Sequence, residues 1–494
     1  MRRRFESSLR DPSWSYCWRQ RCVQNDNTIN SQAYNREVRF FANNGGNTSK
    51  NLYQTNNKLL EFTANYVKSF NNSKLTLLGG YSYQNNVDDG FGANNNNYIA
   101  GLYNLVGYNA LQLGRATLLN GKSNYATSYR NEWSLISFFA RGTFDFNDRV
   151  NLTATVRRDG SSKFGANNKW GTFPSVGAGW TISNEAFMAG NSTLSLLKLR
   201  AGWGMTGNSE GIGAYKSISL VGPTSNYYDG AVGDFVPGFG AIQNPNPNLK
   251  WEVLTTANIG VDFEFAGGKI QGSLDVYQKK TTGMLFPYSV PVGDSHQYVY
   301  NTIIANVGEM TNKGIELTLG TTAIRTADFQ WNTRVVGSFY KNEITSLQSA
   351  DFGVGVIRYN AFGGRGLSDV FASRLREGHP LGEFYIPTFA GFGTDGKVLM
   401  NAEDGGSPTN DYTKAHLSEK GQAQPRVTAS WGEHIYIQAF RPVVPASWCV
   451  WQQDHEQPSF EPGDPRINSP DEHVEGNIQL PYKLRRKSAF QPLA

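Results

Sequence analysis

A chain of 494 residues is too long for one ordinary compact core and long enough for one large barrel or several small domains. Its formal charge of +5 is small and its basic residues are scattered, so there is no nucleic-acid footprint, and the runs Arg2–Arg4 and Arg485–Lys487 read as solvated tails. Hydrophobic residues make up 39%, mean hydropathy is −0.46, and no stretch approaches the roughly 18 apolar residues a membrane-spanning helix needs. A soluble protein fits those numbers. Yet 53 glycines, 24 tyrosines, 29 phenylalanines and 11 tryptophans, with abundant asparagine, better suit a barrel in which every second residue faces lipid and the others face a wet lumen.

The opening MRRRFESSLRDPSW has a basic start with no apolar stretch behind it, so no export signal is readable. Residues 1–32 form an atypical segment, expected to be out of frame. From about residue 58 to 345 one kind of segment repeats. LEFTANYVKSF puts Leu60, Phe62, Ala64, Tyr66 and Phe70 on one face and Glu61, Thr63, Asn65 and Ser69 on the other. A short polar turn, NNS, leads into KLTLLGGYSYQN, with Leu75, Leu77, Tyr81 and Tyr83 on one side. A period of two marks strands with one apolar face.

The hairpin recurs. RGTFDF turns through Asn147 and Asp148 into a strand carrying Leu152, Ala154 and Val156, and TANIGVDFEF turns through Gly267 and Gly268 into KIQGSLDVYQKK. KGIELTL precedes FQWNTRVVGSFYKNEI, with Phe329, Trp331, Val335 and Phe339. Gly and Asn supply the positive φ that two-residue turns need. Strands of about ten residues, tilted near 45°, cross a bilayer. The connections alternate between short polar turns and long Gly/Asn-rich stretches such as 84–128 and 204–248, as on the two rims of an outer-membrane barrel. Loops of that length are hard to place in a soluble sandwich or β-helix.

Six stretches in order resemble the SusC/RagA type of TonB-dependent receptor: RRDGSSKFGANNKWGTFPSVGAGWTISNEAFM (157–188), LKLRAGWGMTGNSEGIGAY (197–215), NPNPNLKWEVLTTANIGVDFEF (244–265), DVYQKKTTGMLF (275–286), ANVGEMTNKGIELTL (305–319) and EGHPLGEFY (377–385). The resemblance covers about residues 33–432. It implies an all-β fold, an antiparallel transmembrane β-barrel, present here as a dozen or so strands of a 22-stranded barrel without its plug domain. It further implies an outer-membrane location in a Gram-negative envelope, a SusD-like lipoprotein lid, and energy from the inner-membrane TonB complex. The nutrient would be an oligosaccharide or a peptide. Without plug, TonB-contacting box or export signal, the chain alone is expected not to transport. Since such a protein must be exported, either the class is wrong or the true N-terminus is missing.

Within those stretches, Asp159-Gly160 and Lys313-Gly314 are expected at strand boundaries, where a turn or close packing favours glycine. Pro174 is expected to open a strand. Trp170, Phe173 and Trp180 are candidates for the interfacial aromatic girdle, against simple lumen or inter-strand packing.

From Glu433 onward alternation stops and Pro and charge rise, so 433–494 is expected to be frameshifted or else a natural disordered tail. Back-translated and moved one base, the stretch after Gly432 permits NTFIYKRFDLSFLR and then GVYGNKIM, with Trp448 and Trp451, each of a single codon, both yielding Gly. The three cysteines, Cys17, Cys22 and Cys449, all lie outside 33–432; no disulfide framework and no zinc knuckle is expected.

No catalytic, cofactor or metal constellation is legible. His296, His379, His416, His434, His455 and His473 show no metal-ligand pairing, Asp294-Ser295-His296 is a loop cluster, and Asp88-Asp89-Gly90 lacks the remaining ligands of a calcium loop. Trp133, Tyr227, Tyr228 and Tyr298 carry aromatic faces that suit sugar rings, but loop aromatics commonly just pack, so no substrate-binding residue is assigned. The rival readings are a passive pore, a structural barrel, or a pseudogene product.

Overall fold

The computed structural model describes residues 3–7, 14–34, 46–96, 111, 126–292, 298–348, 355–361, 370–403, 405–437 and 440–452, with side chains beyond residue 20, short of 438 and other than that of 237. The described residues belong to one unit, Met1–Asp454; the other, His455–Ala494, lies outside them. His296, with Asp294 and Ser295, and His455 and His473 also fall outside.

The strands run β1 (Arg3–Ser7), β2 (Trp14–Tyr34), β3 (Asn47–Phe70), β4 (Ser73–Asn96), β5 (Ala126–Phe146), β6 (Val150–Ser161), β7 (Trp170–Thr181) and β8 (Leu194–Asn208). A hairpin of β9 (Leu220–Asp229) and β10 (Asp234–Gln243) interrupts them before β11 (Glu252–Phe265) and β12 (Ile270–Thr282). A second insert, β13 (Leu285–Ser289) with β14 (Thr302–Asn306), precedes β15 (Glu309–Arg325) and β16 (Phe329–Ser346). The third holds β17 (Ile357–Ala361), β18 (Phe371–Leu375), β19 (Glu383–Pro387), β20 (Phe389–Phe392), β21 (Val398–Met400) and β22 (Leu417–Gln422). β23 (Val427–Ile437) and β24 (Phe440–Gln452) close the series.

Fourteen of these strands form one antiparallel sheet in chain order, from β1 to β24. The chain is therefore a meander whose connections alternate between two rims. On the short rim the turns lie at 71–72, 147–149, 266–269 and 326–328, together with a longer connection, 182–193, between β7 and β8. Asn147 and Asp148 take φ of 54° and 53°, and Ala266, Gly267 and Gly268 take 52°, 64° and 89°. That is the left-handed region whose twist matches the flanking strands. All three inserts leave from the long rim.

Register fixes two faces. One runs Leu152, Ala154 and Val156 on β6, opposite Ala178, Val176 and Pro174 on β7. It continues through Ala201 and Leu199, then Ile259 and Val261, then Val276 and Leu274, then Ile315 and Leu317. This apolar face exposes Ile259, Val276, Ile315 and Phe339 by 60%, 51%, 47% and 52%. The opposite face carries Arg200, Asp262, Asp275 and Glu316. An exposed apolar face backed by a charged one is the outside-in pattern of a wall between lipid and water. Leu317→Arg on the apolar face is expected to cost about 2–4 kcal/mol of folding free energy in vesicles. Thr318→Arg on the polar face should stay within about 0.5 kcal/mol, and equal costs in a urea titration would refute the assignment of faces.

Several expectations need correction. Strands β3 and β4 each have 24 residues, not about ten. Their long-rim halves, NTSKNLYQTNNK and NNVDDGFGANNN, lose the apolar alternation and are mostly polar, as expected of strand ends that extend past the hydrocarbon. The stretch read as a loop from residue 84 belongs to β4 as far as Asn96, which also puts Asp88-Asp89-Gly90 in a strand. Pro174 lies inside β7 rather than at its start; pairing with β8 begins one residue later, at Ser175, so the missing N–H falls where β7 has only β6 beside it. Lys313-Gly314 sits within β15, where the Tyr277 hydroxyl would lie 2.5 Å from a Cβ at Gly314. Gly160 does lie next to a strand end, and the Trp170 ring would meet its Cβ at 2.7 Å. Residues 433–437 belong to β23 and 440–452 to β24, so part of the expected tail has strand backbone.

Candidate functional site: the polar wall and the long rim

Tryptophans mark both ends of the apolar face. Trp170 and Trp180 share that face of β7 ten residues apart. At about 3.3 Å per residue and 45° tilt this spans about 23 Å, the height of a barrel's apolar band. Toward the short rim three indole N–H groups are satisfied: Trp180 donates to Glu185 at 2.9 Å, Trp431 to Thr333 at 2.7 Å, and Trp331 to Glu433. An aromatic body with a bonded polar tip suits an interface. Phe173 is not part of this girdle. It points to the other face, 6% exposed, in the packing of the long rim.

The Arg-Arg-Asp-Gly stretch splits by parity. Arg158, on the apolar face, lies over the Trp170 ring at 5.6 Å, whereas Arg157 bonds Asp159 at 2.8 Å and Ser137 at 2.9 Å on the polar face. Further along that wall, Arg200 holds Asp262 through two bonds of 2.7 and 2.8 Å and reaches Asp275 at 3.2 Å. Such partly exposed pairs add little stability but set the charge pattern a solute meets.

The long loops are tied to one another. Phe164, Phe173, Ile212, Leu249 and Trp251 form a buried cluster from three chain segments, with ring centroids 4.5 Å apart for Phe164–Trp251 and 5.5 Å for Phe173–Trp251. The Trp251 N–H donates to the Lys169 carbonyl at 3.1 Å. The NPNPNLKW stretch explains itself here. Asn244 donates to the Thr302 carbonyl at 2.9 Å and accepts from Val299 at 3.0 Å, and Asn246 donates to the Ile304 carbonyl at 2.8 Å. Asn306 returns the contact, accepting from Lys250 at 2.9 Å and donating to its carbonyl at 2.8 Å. The amides give backbone partners to a strand edge, β14, that pairs on its other side with β13.

Lys163, 8% exposed, donates to the Ser209 carbonyl at 3.1 Å and lies 4.6 Å from the Trp133 ring centroid. Burial pushes its ammonium pKa down, against the pull of Glu210 and Asp88. Trp133 thus offers one ring face to a lysine. Tyr298 is half-buried, while Tyr227 and Tyr228 are 55% and 61% exposed on the β9–β10 hairpin. The four aromatic candidates therefore do not converge.

Sequence reasoning missed one cluster. In the sheet of β17, β18, β19 and β22, ligand-type atoms of His379, Glu383 and Glu419 lie within 4.8 Å of one another. Arg374 bonds Glu383 at 2.7 Å and Glu419 at 3.1 Å, Arg376 also pairs with both, and His379 Nδ1 is 2.7 Å from Glu383. Two guanidinium groups against two carboxylates leave no charge for a cation, so this is an ionic clasp. The spacing of His379 and Glu383 was visible in EGHPLGEFY; Arg374 and Glu419 come from other strands.

The sequence from 5 to 414 matches the family described as TonB dependent receptor-like, beta-barrel. A receptor of Formosa agariphila, TonB-dependent receptor P3, is 34% identical over 69% of this chain and 32% of its own length. TonB-dependent receptor SusC of Bacteroides thetaiotaomicron is 36% identical over 47% of this chain and 23% of its own. The RagAB peptide importer in its 'open-open' state superposes with a TM-score of 0.70 at 23% identity, over 89% of this chain and 45% of that one. The chain spans a third or less of the length of the curated relatives it matches. It belongs to the β-barrel family of TonB-dependent receptors, in its SusC/RagA-type branch.

Proposed function

We propose that this chain forms part of the wall and outer rim of an outer-membrane receptor that imports nutrients, oligosaccharides or peptides too large for porins. The arrangement that carries the reading is the two-faced sheet: an apolar band ending in bonded tryptophans, backed by an ion-paired wall and topped by loops sewn together. By family resemblance its partners are a SusD-like lipoprotein above the rim and the TonB complex beneath. The β9–β10 hairpin supports a partner above the rim, because Val221, Val232, Phe235 and Phe239 are 65–71% exposed on it. The wall segment alone is not transport-competent in this reading, and it is not an enzyme.

Deleting the gene and comparing growth on oligosaccharides and on oligopeptides tests the proposal. Loss of growth on one class names the nutrient; unchanged growth on both ends the import reading. In a planar bilayer the product of the complete gene should give no steady ohmic current, because a plug fills a receptor barrel, and a steady current would favour a passive pore.

The domain boundaries form part of the proposal: barrel from 33 to 432, with 433–494 read out of frame; the family match that begins at residue 5 counts against a shifted frame over 1–32. Support comes from Pro442 and Pro445 inside β24, where a proline lacks the N–H a ladder needs. Genomic resequencing from upstream of Met1 to beyond Ala494 decides it. A shifted frame without an open, barrel-like continuation rules it out.

A further inference from the structure

On the apolar face, β11, β12, β15 and β16 lie side by side around a groove. Its floor is one continuous row of direct cross-strand partners, Ile259, Val276, Ile315 and Phe339. The next row on that face, two residues nearer the long rim, reads Ala257, Gln278, Lys313 and Lys341. The apolar run on each of the last three strands therefore stops at a polar or basic side chain of the same height in the register. Arg158 ends the run of β6 in the same way.

Lys313 and Lys341 face each other directly across the β15–β16 ladder. Like charges so placed repel and are destabilising unless something neutralises them. Glu343 holds Lys341 at 2.8 Å, with side chains 37% and 68% exposed, and Glu309 holds Lys280 at 2.7 Å. Among the described residues Lys313 has no carboxylate within ion-pair distance, so the row keeps a positive surplus. Two ammonium groups above four apolar side chains, at the boundary where lipid tails meet water, match a phosphate on an acyl chain.

We propose that this groove binds a phosphate-bearing lipid of the leaflet on the long-loop side, its phosphate between Lys313 and Lys341 and one acyl chain along Ile259, Val276, Ile315 and Phe339. The proposal rests on the membrane-spanning reading of the sheet. A basic side chain near a membrane surface strengthens binding to an anionic lipid about fivefold, and two do so about 30-fold.

The full chain folded in zwitterionic detergent micelles, scored first by heat-modified gel mobility, is titrated with phosphatidic acid and observed by native mass spectrometry. Phosphatidylcholine and inorganic phosphate serve as controls. The wild-type chain should prefer phosphatidic acid to phosphatidylcholine, and millimolar inorganic phosphate should not displace it, because the acyl row contributes. Lys313→Gln with Lys341→Gln should weaken phosphatidic acid binding about 30-fold, while the two arginine replacements keep it. Glu343→Gln should tighten it, an effect of sign opposite to structural damage. Equal binding by wild type and the double Gln variant, equal affinity for both lipids, or displacement by inorganic phosphate overturns the site. A wild-type chain that shows no folded, heat-modifiable species counts against the barrel reading instead.

Discussion

Arg374→Ala is expected to unfold the sheet of β17, β18, β19 and β22 while leaving the fourteen-stranded sheet intact. The Arg374 side chain is 10% exposed and that of its main partner Glu383 only 3%. The guanidinium also lies over the Tyr385 ring, 3.4 Å from its centroid. Removing it takes a charge-assisted bond from the buried Glu383, which keeps only Arg376 and His379 as partners, at a cost of about 1.5–3 kcal/mol. That is a large share of what a small inserted sheet can hold. Hydrogen exchange should show amides of 371–375, 383–387 and 417–422 losing protection while those of 309–325 keep theirs. Replacing the pair together, as Arg374→Met with Glu383→Leu, should cost less than either truncation alone. Unchanged protection in the alanine variant would mean that the ionic clasp does not hold the sheet.

The second large effect is expected at Trp251. It is 7% exposed and touches Phe164 and Phe173 from a different loop. Trp251→Ala removes the largest side chain of the cluster and should cost about 3–5 kcal/mol through lost transfer energy and the cavity left behind. Loops 162–169 and 209–251 should then become open to protease, whereas the hairpins at 71–72 and 147–149 should not. Trp251→Phe keeps the ring contact with Phe164 but leaves the Lys169 carbonyl without its donor, at about 1–3 kcal/mol. Equal protease resistance in the alanine variant and wild type would show that the loops are held by the Asn244, Asn246 and Asn306 amides instead. The clasp and the aromatic cluster share no residue, so their effects should add.

The wall was legible because its signals are local. Alternation in 60–83 and 150–156, and turn residues at Asn147-Asp148 and Gly267-Gly268, state strand, face and hairpin within a dozen positions. The same parity places Trp170 and Trp180 on one face and Phe173 on the other, so period separates the girdle from the packing reading that proximity had left open. The length of β4 was less readable. Its Asn-rich end has low strand propensity, and it is kept extended by the ladder with β5 as far as Ala93 and by the ladder with β3 as far as Asn96.

The antiparallel wall, its two faces and its alternating rims follow from local pattern, since a period of two and a two-residue turn each depend on neighbours in the chain. Tertiary structure decided the rest. Arg374 meets Glu419, Lys163 meets Trp133, and Asn244 meets Thr302 across gaps that no local pattern spans. Lys313 meets Lys341 for the same reason: register, set by the hairpin that joins β15 to β16, chooses which side chains share a row. A buried polar group takes whichever partner the loops bring within reach, and that choice is made in space rather than along the chain.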